Sequence, residues 1–311
     1  MYKIRISIIA TIVIANFCFA QVNVSCGSVQ RFKVSSEYVD ERNVDIWLPD
    51  GFGAQNTQGA NTKYAVLYMH DGQNLYDSSG VWNKREWRVD EVLDDLLREN
   101  KIENVIVAGI WNNGIKRHTE YFPQKAIDFI PQPQRDSLLA LFPDKTPLAD
   151  NYLKFIVKEL KPFIDSVFPV YTIPGKTFIS GSSMGGLISM YAVCEYPHIF
   201  GGAACLSTHW IGTFVNNKEI PDAFNKYVEK YLPSATETSD STNAHKFYFD
   251  CGTVGLDANY PPYQKIIDET ARKKGYNSDT WKSMEFTGHN HSETDWAKRL
   301  DVPLLFLLKN K

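Results

Sequence analysis

Residues 178–191 of the chain read FISGSSMGGLISMY. An apolar run stands before two serines flanked by glycines, and a segment with the character of a helix follows. The pentapeptide Gly181–Gly185 matches the G-x-S-x-G pattern of a nucleophile elbow, a sharp strand-to-helix turn that projects a reactive hydroxyl. Ser183 is then the candidate nucleophile, and we expect bulk at Gly181 or Gly185 to press against the neighbouring strand or helix. The alternative is an ordinary glycine-rich turn.

The segments around this turn help to decide between the two interpretations. Apolar strand-like runs alternate with amphipathic helical segments from about residue 60 onward, which indicates a parallel sheet covered on both faces. We therefore predict an α/β fold with a mostly parallel central sheet of about eight strands and helices on both faces. In such sheets the chemistry gathers in loops beyond the carboxyl ends of the strands. The predicted core strands are AVLYMH (65–70), NVIVAGIW (104–111), KTFISG (176–181), FGGAACLS (200–207), HKFYFDCG (245–252) and WKSMEFTG (281–288).

The first twenty residues differ from the rest of the chain. Lys3 and Arg5 precede a short apolar run that ends in the tripeptide Cys-Phe-Ala, which is the arrangement of a secretory signal peptide. A bilayer span needs about 20 apolar residues, so a membrane anchor is the less favoured alternative. We predict a signal peptide over residues 1–20, a single domain over residues 21–311, and export to the periplasm or the exterior.

Composition and charge exclude several classes of function. Of the 311 residues, 43% are hydrophobic and 22% are charged, with a net charge of −3. These values are typical of a globular protein that can bury a large core without metals or disulfides. There is no basic block, so we predict no nucleic-acid partner. The chain has five cysteines but no Cys-x-x-Cys pair, so we predict no metal site and leave disulfide pairing open.

A serine nucleophile needs a base, and the chain has seven histidines. His289 and His291 directly follow the last predicted strand, where hydrolases of this topology carry their histidine, after the serine and the acid in chain order. Ser292 is expected to cap the next helix, with Asp295 closing a capping box, and this would fix the loop beside His291. We therefore favour His291 as the base, with His289 as the alternative.

The base needs an acid that holds its tautomer. Two candidates lie in the stretch FDCGTVGLD after the strand at 245–252. Asp250 stands at the strand end itself, where a carboxylate commonly bonds the nearby backbone. Asp257 stands a loop's length further out, where it can reach a histidine on the neighbouring loop. We favour Asp257 and keep Asp250 as the alternative.

The oxyanion of a tetrahedral intermediate needs backbone N–H donors. Met184, directly after the candidate nucleophile, supplies one amide. The loop HDGQN after the first core strand is expected to supply the second from Gln73, because Gly72 lets the backbone turn tightly. His70 and Asp71 are expected to hold this loop through hydrogen bonds.

The substrate pocket is the least constrained part of the prediction. Asn74 lies in the same loop as Gln73 and is a candidate substrate-binding residue. His209 and Trp210 follow the strand at 200–207 and are expected to shape the pocket. Residues 112–148 form a long stretch without clear periodicity, and a loop of that length usually carries function or lies over a site.

Several of these segments resemble one known family. MHDGQNLYD, RHTEYFP, GSSMGGLISMYA and HNHSETDWAKRL are similar to the esterase D-like family of α/β-hydrolases, which includes enterochelin-type esterases and the feruloyl and acetylxylan esterases of carbohydrate esterase family 1. The resemblance covers nearly all of the chain from Arg31 onward. It implies an α/β-hydrolase fold and makes residues 21–311 one catalytic domain without a metal or organic cofactor. Its histidine falls on His291, its nucleophile on Ser183 and its acid on Asp257.

The resemblance also implies roles and an activity. Arg117, Glu120 and Tyr121 would brace the loop beside the site. The activity would be that of a secreted serine esterase that forms an acyl-enzyme, with acetyl or feruloyl esters of plant polysaccharides as substrates. A siderophore esterase and an acyltransferase on the same fold are alternatives. A non-catalytic glycan-binding protein is a less favoured alternative, because binding alone does not need an intact triad.

Overall fold

The computed structural model describes residues 15–17, 22–53, 62–81, 83–214, 217–235 and 244–310. Apart from Ala15–Phe17, the predicted signal peptide lies outside the described residues. Among the helices that fall within these ranges, none is both long and apolar enough to cross a membrane. The cysteines described are free thiols, and all but the first are buried: Cys26, Cys194, Cys205 and Cys251.

A nine-stranded sheet forms the centre of the fold, in the order β1-β2-β3-β5-β4-β6-β7-β8-β9. The strands from β5 to β9 in that order pair in parallel, whereas β1, β2 and β3 pair antiparallel and join the sheet beside β5. β1 lies within the predicted signal peptide, and the eight other strands of the sheet belong to the predicted domain. The prediction of a mostly parallel sheet of about eight strands is therefore confirmed. The strands are β1 (Ala15–Phe17), β2 (Ser28–Val34), β3 (Arg42–Leu48), β4 (Ala65–His70), β5 (Val105–Ile110), β6 (Thr177–Ser182), β7 (Gly202–Leu206), β8 (Lys246–Gly252) and β9 (Trp281–Phe286).

Helices cover both faces of this sheet, as predicted. Successive side chains of a strand point to opposite faces, and in β6 Phe178 joins one hydrophobic core whereas Ile179 joins the other. Residues of α4, α6, α7 and α8 complete the larger core, and residues of α1 and α10 complete the smaller one. The helices are α1 (Val89–Arg98), α2 (Arg117–Tyr121), α3 (Gln132–Leu139), α4 (Ala149–Phe155), α5 (Lys161–Val167), α6 (Met184–Glu195), α7 (Glu219–Tyr231), α8 (Pro261–Lys273), α9 (Glu293–Ala297) and α10 (Asp301–Leu308). A π-helical turn over Ile156–Leu160 joins α4 to α5.

Residues 112–148 do not form the irregular loop that we expected. The short helices α2 and α3 run through the stretch, with 3-10 turns between them. Phe122 and Phe142 from this stretch are buried in the larger core. Because its aromatic side chains are anchored in this way, the stretch folds as part of the globule rather than as a loose cover.

The topology brings several chain segments to one edge of the sheet. The strands β4, β6, β7, β8 and β9 are mutually parallel, so their carboxyl ends meet at the same edge. The loops that follow these strands begin at Asp71, Ser183, Ser207, Thr253 and Thr287. Every residue predicted to take part in the chemistry lies in one of these loops or directly beside it.

Candidate active site

The turn at Ser183 has the backbone geometry of a nucleophile elbow. Ser183 lies between the end of β6 and the start of α6, with φ 60° and ψ −123°, a conformation that costs a residue with a side chain about 1–3 kcal/mol. Its N–H donates to the carbonyl of Leu206 at 2.9 Å, and its carbonyl accepts from the N–H of His209 at 3.2 Å. Bonds to the loop after β7 therefore hold the strained turn.

The glycines of the turn differ in their need for space. A Cβ on Gly181 would lie 2.9 Å from the carbonyl carbon of Gly185, which agrees with the expected crowding. The same expectation is wrong for Gly185, whose Cβ would make ordinary contacts at 3.5 Å. Gly186 is the second crowded position, because its Cβ would lie 2.8 Å from the Oγ1 of Thr208. The close approach of α6 to the loop after β7 thus depends on Gly186.

His291 and Asp257 are hydrogen-bonded partners. Nδ1 of His291 lies 2.6 Å from Oδ1 of Asp257. The other oxygen of Asp257 accepts from the Oγ of Ser207 and from the N–H of Gly252, both at 2.6 Å. Burial opposes the ionisation of this carboxyl, yet the hydrogen bonds from His291 and Ser207 keep the pKa of Asp257 below its ordinary value. A buried, ionised Asp257 fixes the Nδ1–H tautomer of His291, which leaves Nε2 to act as a base.

Asp250, the alternative acid, is engaged elsewhere. Its Oδ1 accepts from Nη2 of Arg299 at 3.0 Å, and its Oδ2 accepts from the hydroxyl of Tyr248 at 3.1 Å. Burial raises the pKa of Asp250, although the Arg299 guanidinium opposes the shift. Asp250 is therefore the partner of Arg299, and Asp257 is the partner of His291.

Ser207 is a polar residue that sequence reasoning missed. It follows β7 directly, is fully buried and has φ 43°. Its hydroxyl donates to Asp257 and accepts from the indole Nε1 of Trp296 at 2.8 Å and from Nη2 of Arg299 at 2.9 Å. The rule that important residues directly follow strands would have found it.

The loop after β9 orients His291 from several sides. The ring of Trp296 meets the imidazole edge-on at 5.0 Å, and the ring of Tyr260 lies at 5.9 Å. Ser292 is the N-cap of α9 and accepts from the N–H of Asp295. The Asp295 carboxylate does not close a capping box with the Ser292 N–H, since it accepts from the N–H of Asn290 at 2.9 Å instead.

His289 joins two loops rather than facing Asp257. Its carbonyl accepts from the N–H groups of Thr253 and Val254 at 3.1 and 3.2 Å. A Cβ on Gly252 would lie 2.0 Å from this carbonyl oxygen. The loops after β8 and β9 therefore pack backbone against backbone. The ring of His289 lies beside Nη1 of Arg299 at 3.3 Å.

The two backbone amides predicted to form the oxyanion hole, those of Met184 and Gln73, both lie at the start of a helical turn. Met184 is the first residue of α6 and Gln73 lies in the 3-10 turn Gly72–Asn74, so neither N–H has a partner within its own helix. A Cβ on Gly72 would lie 2.4 Å from the carbonyl carbon of Gly109, so only glycine lets this turn approach β5. Asp71, at the start of the turn, adopts a left-handed conformation with φ 57°.

A partly buried ion pair holds this turn in place. The carboxylate of Asp71 accepts from Nε and Nη2 of Arg117, both at 2.7 Å, and from Nδ2 of Asn112 at 2.7 Å. Burial opposes ionisation, but the charge of Arg117 lowers the pKa of Asp71 below its ordinary value. The hydroxyl of Tyr121 accepts from the N–H of Asp71 at 3.4 Å. Arg117 and Tyr121 thus brace the loop, as the resemblance implies.

Glu120 and His70, also expected to hold this loop, both form hydrogen bonds elsewhere. Glu120 does not touch the loop, since it accepts from both terminal nitrogens of Arg42 at 2.7 and 2.9 Å and ties α2 to β3. Nδ1 of His70 bonds the hydroxyl of Tyr152 at 2.8 Å, and burial lowers the pKa of His70 to about 3. His70 is therefore a neutral structural residue beneath the turn.

A cavity of about 760 Å³ opens over these groups, and Ser183 and His291 both line it. The Gly72–Asn74 turn forms part of its wall. Nδ2 of Asn74 lies 3.5 Å from Oε1 of Glu293, another residue of the wall. Aromatic side chains supply much of the remaining surface: Tyr76, Trp87, Trp111, Phe214 and Trp296.

The expectation that Trp210 and His209 contact substrate is wrong. Trp210 is 1% exposed, and its indole donates to Gln264 at 2.8 Å within the core. His209 is 2% exposed and bonds the hydroxyl of Tyr260 at 2.8 Å. Of the loop after β7, Phe214 is the described residue that reaches the cavity, and its side chain is 87% exposed.

Sequence reasoning also missed an ion pair, between Arg31 and Asp45, that lines the cavity. Arg31 pairs with Asp45 through two bonds of 2.7 and 2.8 Å, and the indole of Trp111 donates to Asp45 at 2.9 Å. The guanidinium of Arg31 stacks on the Trp111 ring, 4.5 Å from its centroid. Arg31 of β2 lies directly opposite Asp45 of β3 in the sheet, and Trp111 follows the end of β5.

Comparisons with known proteins agree with this geometry. The chain is 24% identical over 235 residues to the uncharacterized protein YjcH of Bacillus subtilis (strain 168), covering 75% of this chain and 76% of that protein. The fold is similar to the crystal structure of the enterobactin esterase FES from Shigella flexneri, with a TM-score of 0.62 and 14% identity. That likeness covers 90% of this chain and 59% of the Shigella chain, so this chain spans about three fifths of that esterase.

A ferulic acid esterase structure gives a TM-score of 0.60 at 19% identity, covering 90% of this chain and 98% of that one. At such identities the structural likeness shows the α/β-hydrolase fold. The family assignment rests on a family model for esterases, described as putative esterase, which matches residues 35–307. Because this match takes in most of the chain, the protein belongs to the putative esterase family.

Proposed function

We propose that the protein is a serine esterase in which Ser183, His291 and Asp257 form the catalytic triad. One observation carries the proposal: Ser183, on a strained turn, lines the same cavity as His291, whose Nδ1 is bonded to Asp257 at 2.6 Å. A serine hydroxyl is a weak nucleophile unless a neighbouring base accepts its proton. The arrangement supplies that base with its tautomer already set.

The chemistry follows from the positions of these groups. Nε2 of His291 takes the proton of Ser183 as Oγ attacks the ester carbonyl carbon, and the amides of Met184 and Gln73 stabilise the oxyanion. His291 then gives the proton to the leaving alcohol, and an acyl-enzyme remains on Ser183. Water, deprotonated by His291, attacks the carbonyl carbon of this acyl group. The bond to Oγ of Ser183 then breaks, His291 returns the proton to Oγ, and the acid is released. Asp257 stabilises the imidazolium in both halves of the reaction.

The cavity supports an ester with a bulky apolar part as substrate. A volume of about 760 Å³ exceeds what an acetyl group needs, and Trp87, Trp111 and Phe214 offer aromatic surfaces. We favour feruloyl esters of plant polysaccharides over acetyl esters for this reason. Enterochelin-type siderophore esters are the second candidate, since their aryl groups would suit the same walls. A panel of feruloyl, acetyl-xylan and siderophore esters ranks these substrates by kcat/KM.

Export is part of the proposal. The predicted signal peptide over residues 1–20 would deliver residues 21–311 as one catalytic domain to the periplasm or the exterior. N-terminal sequencing of the protein recovered from cell fractions tests it. A mature chain that begins at Gln21 supports export, whereas an intact Met1 in a cytoplasmic fraction contradicts it.

Replacement of Ser183 tests the central claim. Ser183→Ala should lower kcat for p-nitrophenyl acetate by at least about 10⁴-fold and abolish labelling by a fluorophosphonate probe. Ser189→Ala is the control, because this buried hydroxyl lies in α6, the helix that follows Ser183, and donates to the Gly185 carbonyl. Full activity of a folded Ser183→Ala protein would refute the assignment. To test the acyltransferase alternative, an alcohol or sugar acceptor is added, and mostly transferred product would favour that reading over hydrolysis.

A further inference from the structure

A segment with no role in the proposed triad lies against the active-site cavity. Residues 22–27, which we call the N-terminal arm, directly precede β2. The arm lies along the loop that follows the Gly72–Asn74 turn and along the start of α1. Val22, near the beginning of the arm, lines the same cavity as Ser183 and His291.

Two carboxylates hold the arm. Oδ2 of Asp90 accepts from the N–H of Ser25 at 2.7 Å and from the N–H of Cys26 at 3.3 Å. In addition, the hydroxyl of Ser25 donates to Oε1 of Glu91 at 3.2 Å. Hydrogen bonds to carboxylates are stronger than those between neutral groups. The arm is therefore tied to the start of α1 at Ser25 and Cys26.

The exit of the arm into β2 is equally constrained. The carbonyl of Cys26 accepts from the indole Nε1 of Trp47 at 2.9 Å. Gly27 has φ +71°, and a Cβ there would lie 2.4 Å from the carbonyl oxygen of Leu48. Only glycine fits this turn, so the path of the arm over the end of β3 is set by sequence.

The arm contributes to the apolar side of the cavity. Val22 shares that wall with Val81 and Trp87. The ring of Trp87 lies 5.3 Å from the ring of Trp296, which in turn meets the imidazole of His291 at 5.0 Å. The apolar lining therefore includes side chains that lead to His291. A substrate group bound along it would be next to the reacting ester.

We propose that Val22 is a specificity-determining residue, which the N-terminal arm holds on the apolar side of the cavity, where it limits the size of the ester group bound beside Trp87 and Trp296. The inference rests on the proposed esterase function. The hydrogen bonds that hold the arm come from Ser25 and Cys26, whereas Val22 contributes apolar packing against the smaller core and lines the cavity. In an apolar pocket, one methylene group changes kcat/KM by about 10–200-fold.

Variants of one residue test the proposal against a matched control. Val22→Phe narrows the cavity and Val22→Ala widens it. Val24→Ala is the control, because Val24 lies on the same arm and packs against the smaller core without lining the cavity. The substrates are p-nitrophenyl acetate, butyrate and octanoate, which vary the acid, and phenyl and naphthyl acetate, which vary the alcohol.

The expected result is a change in the ratio of kcat/KM for the bulkiest to the smallest ester of a series. Val22→Phe should lower this ratio about tenfold in at least one series, and Val22→Ala should raise it. Val24→Ala should keep the wild-type ratios. Ser25→Pro removes an N–H that binds Asp90, and it should shift the ratio in the same direction as Val22→Ala.

Two failures are distinguishable. If the wild type hydrolyses the esters but the Val22 variants keep its ratios in both series, the role of Val22 is refuted and the esterase proposal stands. If the wild type hydrolyses none of these esters, the proposed function fails first. Equal shifts in the Val22 and Val24 variants would also refute a specific role for Val22.

Discussion

The hydroxyl of Ser207 donates to Oδ2 of Asp257 at 2.6 Å, and Asp257 is the one acceptor among the three groups bonded to this hydroxyl. Trp296 and Arg299 both donate to the same hydroxyl oxygen, and an indole N–H and a guanidinium can only donate. The direction of the Ser207 hydrogen bond is thereby fixed toward the carboxylate. Ser207 is a positioning residue for the acid of the proposed triad.

Ser207→Ala should therefore lower kcat more than it changes KM. Loss of the hydroxyl leaves Asp257 with one charge-assisted bond fewer and frees it to rotate away from His291, and we expect a decrease in kcat of about 10- to 100-fold. Steady-state kinetics with p-nitrophenyl acetate measure the split. Thr177→Val is the matched control, because Thr177 is equally buried at the opposite end of β6 and its hydroxyl donates to Ile173. Unchanged kcat in Ser207→Ala would contradict the positioning role.

Replacement of Asp257 should mainly lower kcat, whereas replacement of Asp250 should mainly lower the stability of the fold. Asp257→Asn keeps the shape but favours the wrong tautomer of His291, so we expect kcat to fall by about 10⁴-fold with little loss of stability. Asp250→Asn weakens the buried pair with Arg299, and breaking such a pair costs about 3–5 kcal/mol. Activity assays and urea unfolding of both variants make the comparison. A larger loss of kcat in folded Asp250→Asn than in Asp257→Asn would reverse the assignment of the acid.

Arg117→Lys should impair the oxyanion turn without touching the nucleophile. Lysine cannot reproduce the two parallel bonds from Arg117 to Asp71. The turn that carries Gln73 should then lose its fixed position, and a shift of about 1 Å can lower kcat about 100-fold. Arg98→Lys is the control, because Arg98 forms an exposed pair with Asp94. Equal kcat values in the two variants would show that the brace does not set the turn.

The pH dependence of stability should reveal the buried His209. Burial, together with the nearby cationic groups, lowers the pKa of His209 to about 3 in the folded protein, against about 6.5 in an unfolded chain. The unfolded state therefore binds the proton first as the pH falls. Full stability is present above about pH 6.5, and it is lost progressively toward the folded pKa. At pH 5.5 one such histidine costs on the order of 1 kcal/mol.

Urea unfolding of the wild type and His209→Gln between pH 7.5 and pH 5.5 measures this loss. The variant should lose on the order of 1 kcal/mol less over the interval, because glutamine does not titrate and every other group is shared. Parallel stability curves for the two proteins would contradict the buried neutral state of His209.

The sequence was sufficient to locate the elbow and its partners because position along the chain determines them. Ser183, Asp257 and His291 each follow a strand of one parallel sheet, so their loops meet at one edge whatever the side chains in between. Loop length, the usual backbone-bonding role of a strand-end aspartate and the family resemblance all favour Asp257 over Asp250. That separation from the strand end lets the carboxylate reach Nδ1 of His291 in the structure.

Residues whose role depends on side-chain direction could not be found in this way. Ser207 acquires its role from Trp296 and Arg299, which stand 89 and 92 positions away. Trp210 follows the same strand as Ser207, but its ring turns into the core beside Phe224 and Phe249. A loop sequence does not state which way its aromatic side chain points.

The packing of His289 against Gly252 has a consequence for how this protein can diverge. The loops after β8 and β9 share hydrogen bonds between Thr253, Val254 and the carbonyl of His289, and they touch again where a Cβ on Gly255 would lie 2.2 Å from Asn290. An insertion in either loop would separate the acid from the base, so both lengths must be inherited together. Insertions are easier to accommodate in the stretches after β5 and β7, which border the cavity through Gly114 and Phe214. New substrates should be acquired there, with the catalytic pair carried along unchanged.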